Sequence, residues 1–319
     1  MIYDIFNGDA DGIIALLQLR FETPLDSQLI TGVKRNIKLV KNVKVNKGDS
    51  LTILDISMEK NSEEVNQALQ AGAKVFYADH HRTGDIPEHK NFAAHIDLDA
   101  NTCTSLIIDK LLAGKYHAWA ITAAYGDNLI AKADELAKQA GYSLTQAEQL
   151  KELGVLINYN GYGASVADLH FHPAELFKIL LAYRSPFDVI SDQHSAFYKL
   201  RKVYQQDMDN ALSISANHQS EFLSVYELPD EAWSRRISGV YGNLLANKTP
   251  NSSHVVLTKN KEGSYLVSLR APLNNKQGAG DLCSKFNTGG GRAAAAGINV
   301  LAHASLKEFI ELVDCYYRR

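Results

Sequence analysis

Asp9 and Asp11 flank a single alanine in Asn7-Gly8-Asp9-Ala10-Asp11-Gly12. Two carboxylates so close offer hard oxygen ligands to a divalent cation, although Asp and Gly also populate ordinary tight turns. Asp55 closes the apolar stretch Ser50–Leu54, where it reads as a ligand or as a helix N-cap. Asp79-His80-His81 ends another apolar stretch. Adjacent histidines point in different directions, so one can ligate a metal while its neighbour faces substrate. Asp127, in Tyr125-Gly126-Asp127-Asn128, follows an apolar helix and could complete the set from a later segment; alone it reads as a helix-end residue. Carboxylates gathered in one crevice repel and raise each other's pKa. A bound cation reverses that penalty. Mixed carboxylate and imidazole donors suit manganese or a similar transition ion better than calcium.

A second group of residues could hold an anion. Gly289-Gly290-Gly291 lets backbone N–H groups approach a phosphate without side-chain hindrance. Arg292 adds a fork of donors, and Arg270, at the end of a predicted strand, is a candidate partner. The same glycines also read as a flexible turn. Lys34 and Arg35, after Thr31-Gly32-Val33, could meet an anion, but two solvated loop charges are the simpler reading. Arg235-Arg236 reads the same way.

The elements that must position these groups alternate. Residues 2–6 read as a buried strand, 7–12 as turn chemistry and 13–20 as a helix. Strands follow at 50–54, at 74–78 and near His95-Ile96, with a helix at 61–71 between the first two. This order predicts an α/β fold with a parallel sheet and crossover helices. The acids and histidines fall just past the strand C-termini, where open α/β sheets bind ligands. Residues from about 104 to 220 read as helical, with 188–217 as one long connector helix. Strand patterns return at 222–227, 254–259 and 265–269, and 306–317 reads as a terminal helix. The expected organisation is a catalytic domain at 1–185, a helical linker at 186–224 and a smaller α/β domain at 225–319.

The chain has 319 residues, and one hydrophobic core usually stops growing near ~250–300, which favours two domains. Hydrophobic residues make up 45% and charged residues 22%, which argues against a disordered chain. Lys and Arg total 33 against 36 for Asp and Glu, a net charge of -3. Proteins that coat duplex nucleic acid carry a basic excess, so the anionic partner is expected to be small or held by a local patch. Cys103, Cys283 and Cys315 are widely spaced without a CxxC pair, which fits a reducing compartment and predicts a cytoplasmic protein. No apolar run approaches the roughly 18–20 residues of a membrane span, and no secretory leader is visible.

Together the segments resemble the DHH phosphoesterases, the family of RecJ exonucleases and NrnA-like oligoribonucleases. Asp9-Ala10-Asp11-Gly12 is similar to its first motif, Asp55 to the lone acid of its second, Asp79-His80-His81 to its naming motif and Asp127 to its later aspartate. Gly289-Gly290-Gly291-Arg292, with Ala295-Ala296-Gly297 behind it, is similar to the glycine motif of the DHH-associated domain. The resemblance covers about 2–130 and 225–319. It implies a phosphoesterase with two manganese ions, magnesium or cobalt being alternatives, and a site between the domains. Asp9 and Asp55 would hold one ion, and Asp11, Asp55, His80 and Asp127 the other. His81 would contact the scissile phosphate and Asp79 would orient a histidine. Arg270 and Gly289–Arg292 would hold the nucleotide end.

Two motifs depart from the pattern: at the first, Ile5 and Asn7 stand where relatives place a histidine and an acid respectively, and at the glycine motif Arg292 stands where the run usually ends in histidine. The expected substrate is a short single-stranded oligonucleotide or dinucleotide, including linear products of opened cyclic dinucleotides; an oligomer is compatible with the sequence. The alternatives are a nucleotide phosphatase or pyrophosphatase on the same metal core, and a non-catalytic nucleotide-binding regulator.

Overall fold

A computed structural model describes residues 1–260 and 262–318. The chain divides into two compact units, Met1–Lys202 and Val203–Arg319.

The first unit opens with β1 (Ile2–Phe6), α1 (Ala10–Glu22), β2 (Gln28–Ile30), β3 (Ser50–Leu54), α2 (Ser62–Gln70), β4 (Lys74–Asp79) and β5 (Phe92–Ile96). These strands form one sheet in the order β2-β1-β3-β4-β5, all neighbours parallel. The central strands are rich in Ile, Leu, Val and aromatic residues, as strands covered on both faces require. Alternate residues Tyr3, Ile5, Leu51, Ile53, Val75 and Tyr77 form one core with Val65 and Leu69 of α2. β2 was not anticipated; its three residues carry too short a pattern to stand out.

Register places the chemistry. Phe6 lies opposite Leu54, and Leu54 opposite Ala78. Backbone bonds then carry the ladder one step further, from Asn7 N–H to Leu54 O (3.2 Å) and from Asp55 N–H to Ala78 O (3.1 Å). Residues following β1, β3 and β4 therefore leave the sheet at one edge.

Helices complete the unit: α3 (Thr104–Leu111), α4 (His117–Gly126), α5 (Ile130–Gln139), α6 (Leu144–Asn160), α7 (Pro173–Leu180), α8 (Pro186–Ser191) and α9 (Ala196–Leu212), the last crossing the division of the chain. The expected single helix at 188–217 is broken at Asp192, whose carboxylate accepts from His194 N–H (2.9 Å) and Tyr183 Oη–H (2.7 Å), an Asx turn that ends α8.

The second unit holds β6 (His218–Gln219), β7 (Leu223–Leu228), α10 (Ala232–Lys248), β8 (Ser253–Lys259), β9 (Tyr265–Arg270), α11 (Ala279–Cys283), β10 (Gly289–Gly291), β11 (Ala295–Leu301) and α12 (Leu306–Tyr317). Its mixed sheet runs β10-β11-β9-β8-β7-β6, with only β7 and β8 parallel. Leu223, Val225, Val255, Leu257, Val267, Leu269 and Ile298 form its core with Leu282 of α11 and Phe309 and Val313 of α12.

Candidate metal centre

The structure replaces the expected turn at 7–12 with a capped helix start. Asp9 is the N-cap of α1, its Oδ1 accepting from Gly12 N–H at 3.0 Å. Asp11 therefore lies in the first helical turn. Both of its oxygens accept backbone N–H groups at 2.7 Å, from Thr104 and Ser105 at the start of α3. The unpaired amides of a helix N-terminus favour a carboxylate there. They fix Asp11 at the sheet edge.

Asp55 has φ +57, a left-handed conformation uncommon outside glycine. It turns the chain sharply after β3 and leaves the carboxylate in the crevice, where Oδ1 accepts from Thr104 Oγ1 at 3.2 Å. Burial first, then the charges of Asp11, Asp9, Asp79 and Asp127, push its pKa well above the ordinary carboxylate value. Asp127 stands at the C-cap of α4, the end of a helix that disfavours negative charge. Asp9, Asp11, Asp55 and Asp127 are all buried. Such a cluster calls for a cation.

His80 is prepared to bind one. Its Nδ1 pairs with the carbonyl of Thr102 at 2.9 Å, which requires the proton on Nδ1 and leaves the Nε2 lone pair for a metal. Nε2 lies 3.4 Å from Asp55, 3.8 Å from Asp11 and 3.9 Å from Asp127. Ligand atoms of Asp55, His80 and His81 also lie within 4.8 Å of one another. Asp55, Asp11 and Asp127 thus each approach His80 Nε2, and the chemistry of these donors fits a divalent transition ion. His81 is more open. Its Nδ1 bonds Asp79 Oδ1 at 2.7 Å, which leaves Nε2 for a ligand. Asp79 is fully buried, and its Oδ2 has no hydrogen-bond partner.

Asp9 stands differently. Its Oδ2 is paired with the ammonium of Lys34, which also donates to Asn158 Oδ1 at 3.1 Å and lies 3.8 Å from Asp127. Burial of Asp9 opposes ionisation most strongly, but the charge of Lys34 together with the hydrogen bonds from Lys34 and Gly12 N–H holds this carboxyl below its ordinary pKa. Burial likewise works against the Lys34 ammonium, and Asp9, Tyr162 and Asp127 more than offset it, so its pKa is raised. The reading of Lys34 as a solvated loop charge is therefore corrected: packing carries residues 31–35 onto the start of α1. Lys34, weighed only as an anion contact in the sequence, and Asn158 and the Thr102–Ser105 segment, which the sequence reading did not select, contact the candidate centre. The polar run Asn101-Thr102-Cys103-Thr104-Ser105 before an apolar helix was the visible signal for the last.

In the second unit, Gly289–Gly291 is not a loop but the edge strand β10, paired antiparallel with β11. A Cβ on Gly289 would lie 1.8 Å from Cys283 O, and Gly291 has φ +143, so both glycines are required by the backbone itself. Gly290 alone faces open space. Arg292, half-buried, follows the strand, its N–H bonded to Ala295 O at 2.9 Å. Arg270 is buried, and its guanidinium donates to Asn243 Oδ1 (2.6 Å), Ser268 Oγ (3.0 Å), Leu269 O (3.2 Å) and Gly239 O (3.0 Å).

No protein-family model matches the chain. It is 23% identical over 310 residues to oligoribonuclease NrnB of Bacillus subtilis, across 92% of this chain and 70% of the relative. Its fold is similar to that of PggH, a pGpG-specific phosphodiesterase from Vibrio cholerae, with a TM-score of 0.57 at 13% identity over 100% of this chain and 99% of the other. It is also similar to exonuclease RecJ bound to manganese, with a TM-score of 0.56 at 15% identity over 100% and 90%. The chain thus shares the fold of PggH and RecJ, and its gathered acids and histidines stand in the order that carries the resemblance to the DHH phosphoesterases.

Proposed function

We propose that this protein is a divalent-metal-dependent phosphodiesterase that hydrolyses short linear oligonucleotides, dinucleotides above all, to mononucleotides. The observation that carries the reading is His80 Nε2, aimed at Asp55, Asp11 and Asp127 within 3.4–3.9 Å while Nδ1 is tied to a backbone carbonyl. Manganese fits these donors, with magnesium or cobalt as alternatives, and the fold relatives include a manganese-bound RecJ. Two ions are the family expectation. A divalent ion supplies Lewis acidity toward a phosphoryl oxygen and lowers the pKa of water.

The chain's own residues do the rest. Asp11, Asp55, His80 and Asp127 form the ligand set. His81 presents Nε2 to a non-bridging phosphate oxygen, and Asp79 holds that imidazole in one tautomer and orientation. No side-chain nucleophile is required. In the second unit, the open edge at Gly290 and the neighbouring Arg292 take the terminal phosphate or base, with Arg270 bracing the strand behind them. We assign catalysis to 1–185, the connection to 186–224 and nucleotide-end recognition to 225–319. The net charge of -3 suits a substrate with few phosphates rather than a duplex. The cysteine pattern suits the cytoplasm.

The test is a time course on end-labelled oligonucleotides of graded length with manganese, followed by chelator. Mononucleotide release, fastest from the dinucleotide and stopped by chelation, is expected. Release of inorganic phosphate alone would make the enzyme a phosphatase, and binding without turnover would make it a regulator; either result overturns the proposal.

A further inference from the structure

Resting on the reading that this centre binds a divalent ion, we propose that it holds one such ion rather than two, with the Lys34 ammonium standing in for the second. The ammonium is paired with Asp9 Oδ2, hydrogen-bonded to Asn158 Oδ1 at 3.1 Å and 3.8 Å from Asp127 Oδ1. A second ion about 3.5–4 Å from the first would draw on Asp9, whose Oδ2 already pairs with an ammonium that a dication at the same oxygen would repel.

The ammonium is built into place. Lys34 N–H donates to Gly161 O at 2.8 Å, and its carbonyl accepts from Asn7 Nδ2 at 3.3 Å. The Nζ lies 5.6 Å from the centroid of the Tyr162 ring, within cation–π range. The backbone segment that carries it packs tightly on the turn after β1: a Cβ on Gly8 would meet Gly32 O at 1.8 Å. Position 7, where a charged or imidazole ligand would strengthen a second ion, is a neutral asparagine whose Oδ1 has no hydrogen-bond partner.

Asp9, Asp11, Asp55 and Asp127 bring four negative charges, and the Lys34 ammonium already offsets one of them at the Asp9 end of the cluster, where a second dication would meet a like charge. Lys34 thus supplies a fixed positive charge beside the ion, one that chelation cannot remove.

Manganese alone is the probe. Calorimetric titration of the full chain, with electron paramagnetic resonance, should give one equivalent of bound manganese and an uncoupled signal. Lys34→Met, which removes the charge and keeps the bulk, should bind a second equivalent and show exchange coupling. Asp9→Asn should leave the affinity of the single ion nearly unchanged, whereas loss of a true ligand should exceed the roughly 10–100-fold cost of losing even an outer partner. Two coupled ions in the unaltered protein, or a manganese affinity that collapses in Asp9→Asn, overturns the single-ion proposal and leaves the phosphodiesterase standing. One equivalent in Lys34→Met overturns the role of Lys34. No manganese bound by the unaltered protein overturns the metal reading on which the proposal rests.

Discussion

Replacing Asp79 by asparagine should weaken catalysis and strengthen the metal-free fold. Asp79 Oδ1 accepts from His81 Nδ1 at 2.7 Å, a bond to a charged group worth about 1.5–3 kcal/mol. A neutral acceptor keeps roughly half of that. The amide can also turn its NH2 toward the ring, which moves the imidazole proton to Nε2 and spoils the face offered to phosphate. A fall in kcat of about 10–100-fold follows, in line with other outer partners of a metal site. The fold gains because Asp79 is a fully buried carboxylate with one oxygen unpartnered, and its charge adds to the repulsion on Asp55. Relief of about 1 kcal/mol would raise the melting temperature by about 2–4 °C for a unit of this size. The assay is manganese-dependent hydrolysis of a dinucleotide at saturating metal, across pH, beside thermal unfolding in chelator. A double-mutant cycle isolates the route: in a His81→Ala background, Asp79→Asn should cost little more. A full additional loss in that background would refute the idea that Asp79 acts by positioning His81.

Further outcomes follow from the same geometry. Burial, then the charges of Asp11, Asp9, Asp79 and Asp127, raise the Asp55 pKa, so the folded metal-free protein holds a proton that the unfolded chain releases. This group therefore adds stability as pH falls from its raised folded value toward the ordinary ~3.9, and manganese affinity falls over the same window; titrations at several pH values check both. Asp55→Asn should abolish both trends while tolerating φ +57, since asparagine accepts the left-handed region. The hydrogen bond to Asp109 (2.7 Å) raises the His117 pKa against partial burial, which lowers it. Its contribution, about 0.5–1 kcal/mol, is present below the ordinary value of ~6.5 and lost as pH rises through the folded one; denaturant unfolding of Asp109→Asn should lack that dependence. Gly289→Ala, which drives a Cβ onto Cys283 O at 1.8 Å, should lower the stability of the second unit by about 1–3 kcal/mol. Gly290→Ala, with nothing within 4 Å, should leave stability unchanged and raise KM if substrate approaches that edge.

Much of this protein is written locally. Apolar stretches that break into Asp55 and into Asp79-His80-His81 announce buried strands ending at a polar edge. Parallel pairing then has to collect those endings, because the hydrophobic faces of β1, β3 and β4 set the register. The terminal helix 306–317 was legible for the same reason: its apolar period is confined to its own residues. Tertiary structure alone decided which charges meet. Lys34 lies 25 positions from Asp9 and Asn158 lies 124 from Lys34, and no local pattern carries their contact. The turn at 7–12 became a helix start because Asp9 could cap it and the α3 N-terminus could receive Asp11. The glycine run became a strand because β11 offers it a partner and Cys283 O leaves no room for a side chain. Burial patterns are properties of neighbours in sequence, whereas neutralising a buried charge is a property of neighbours in space.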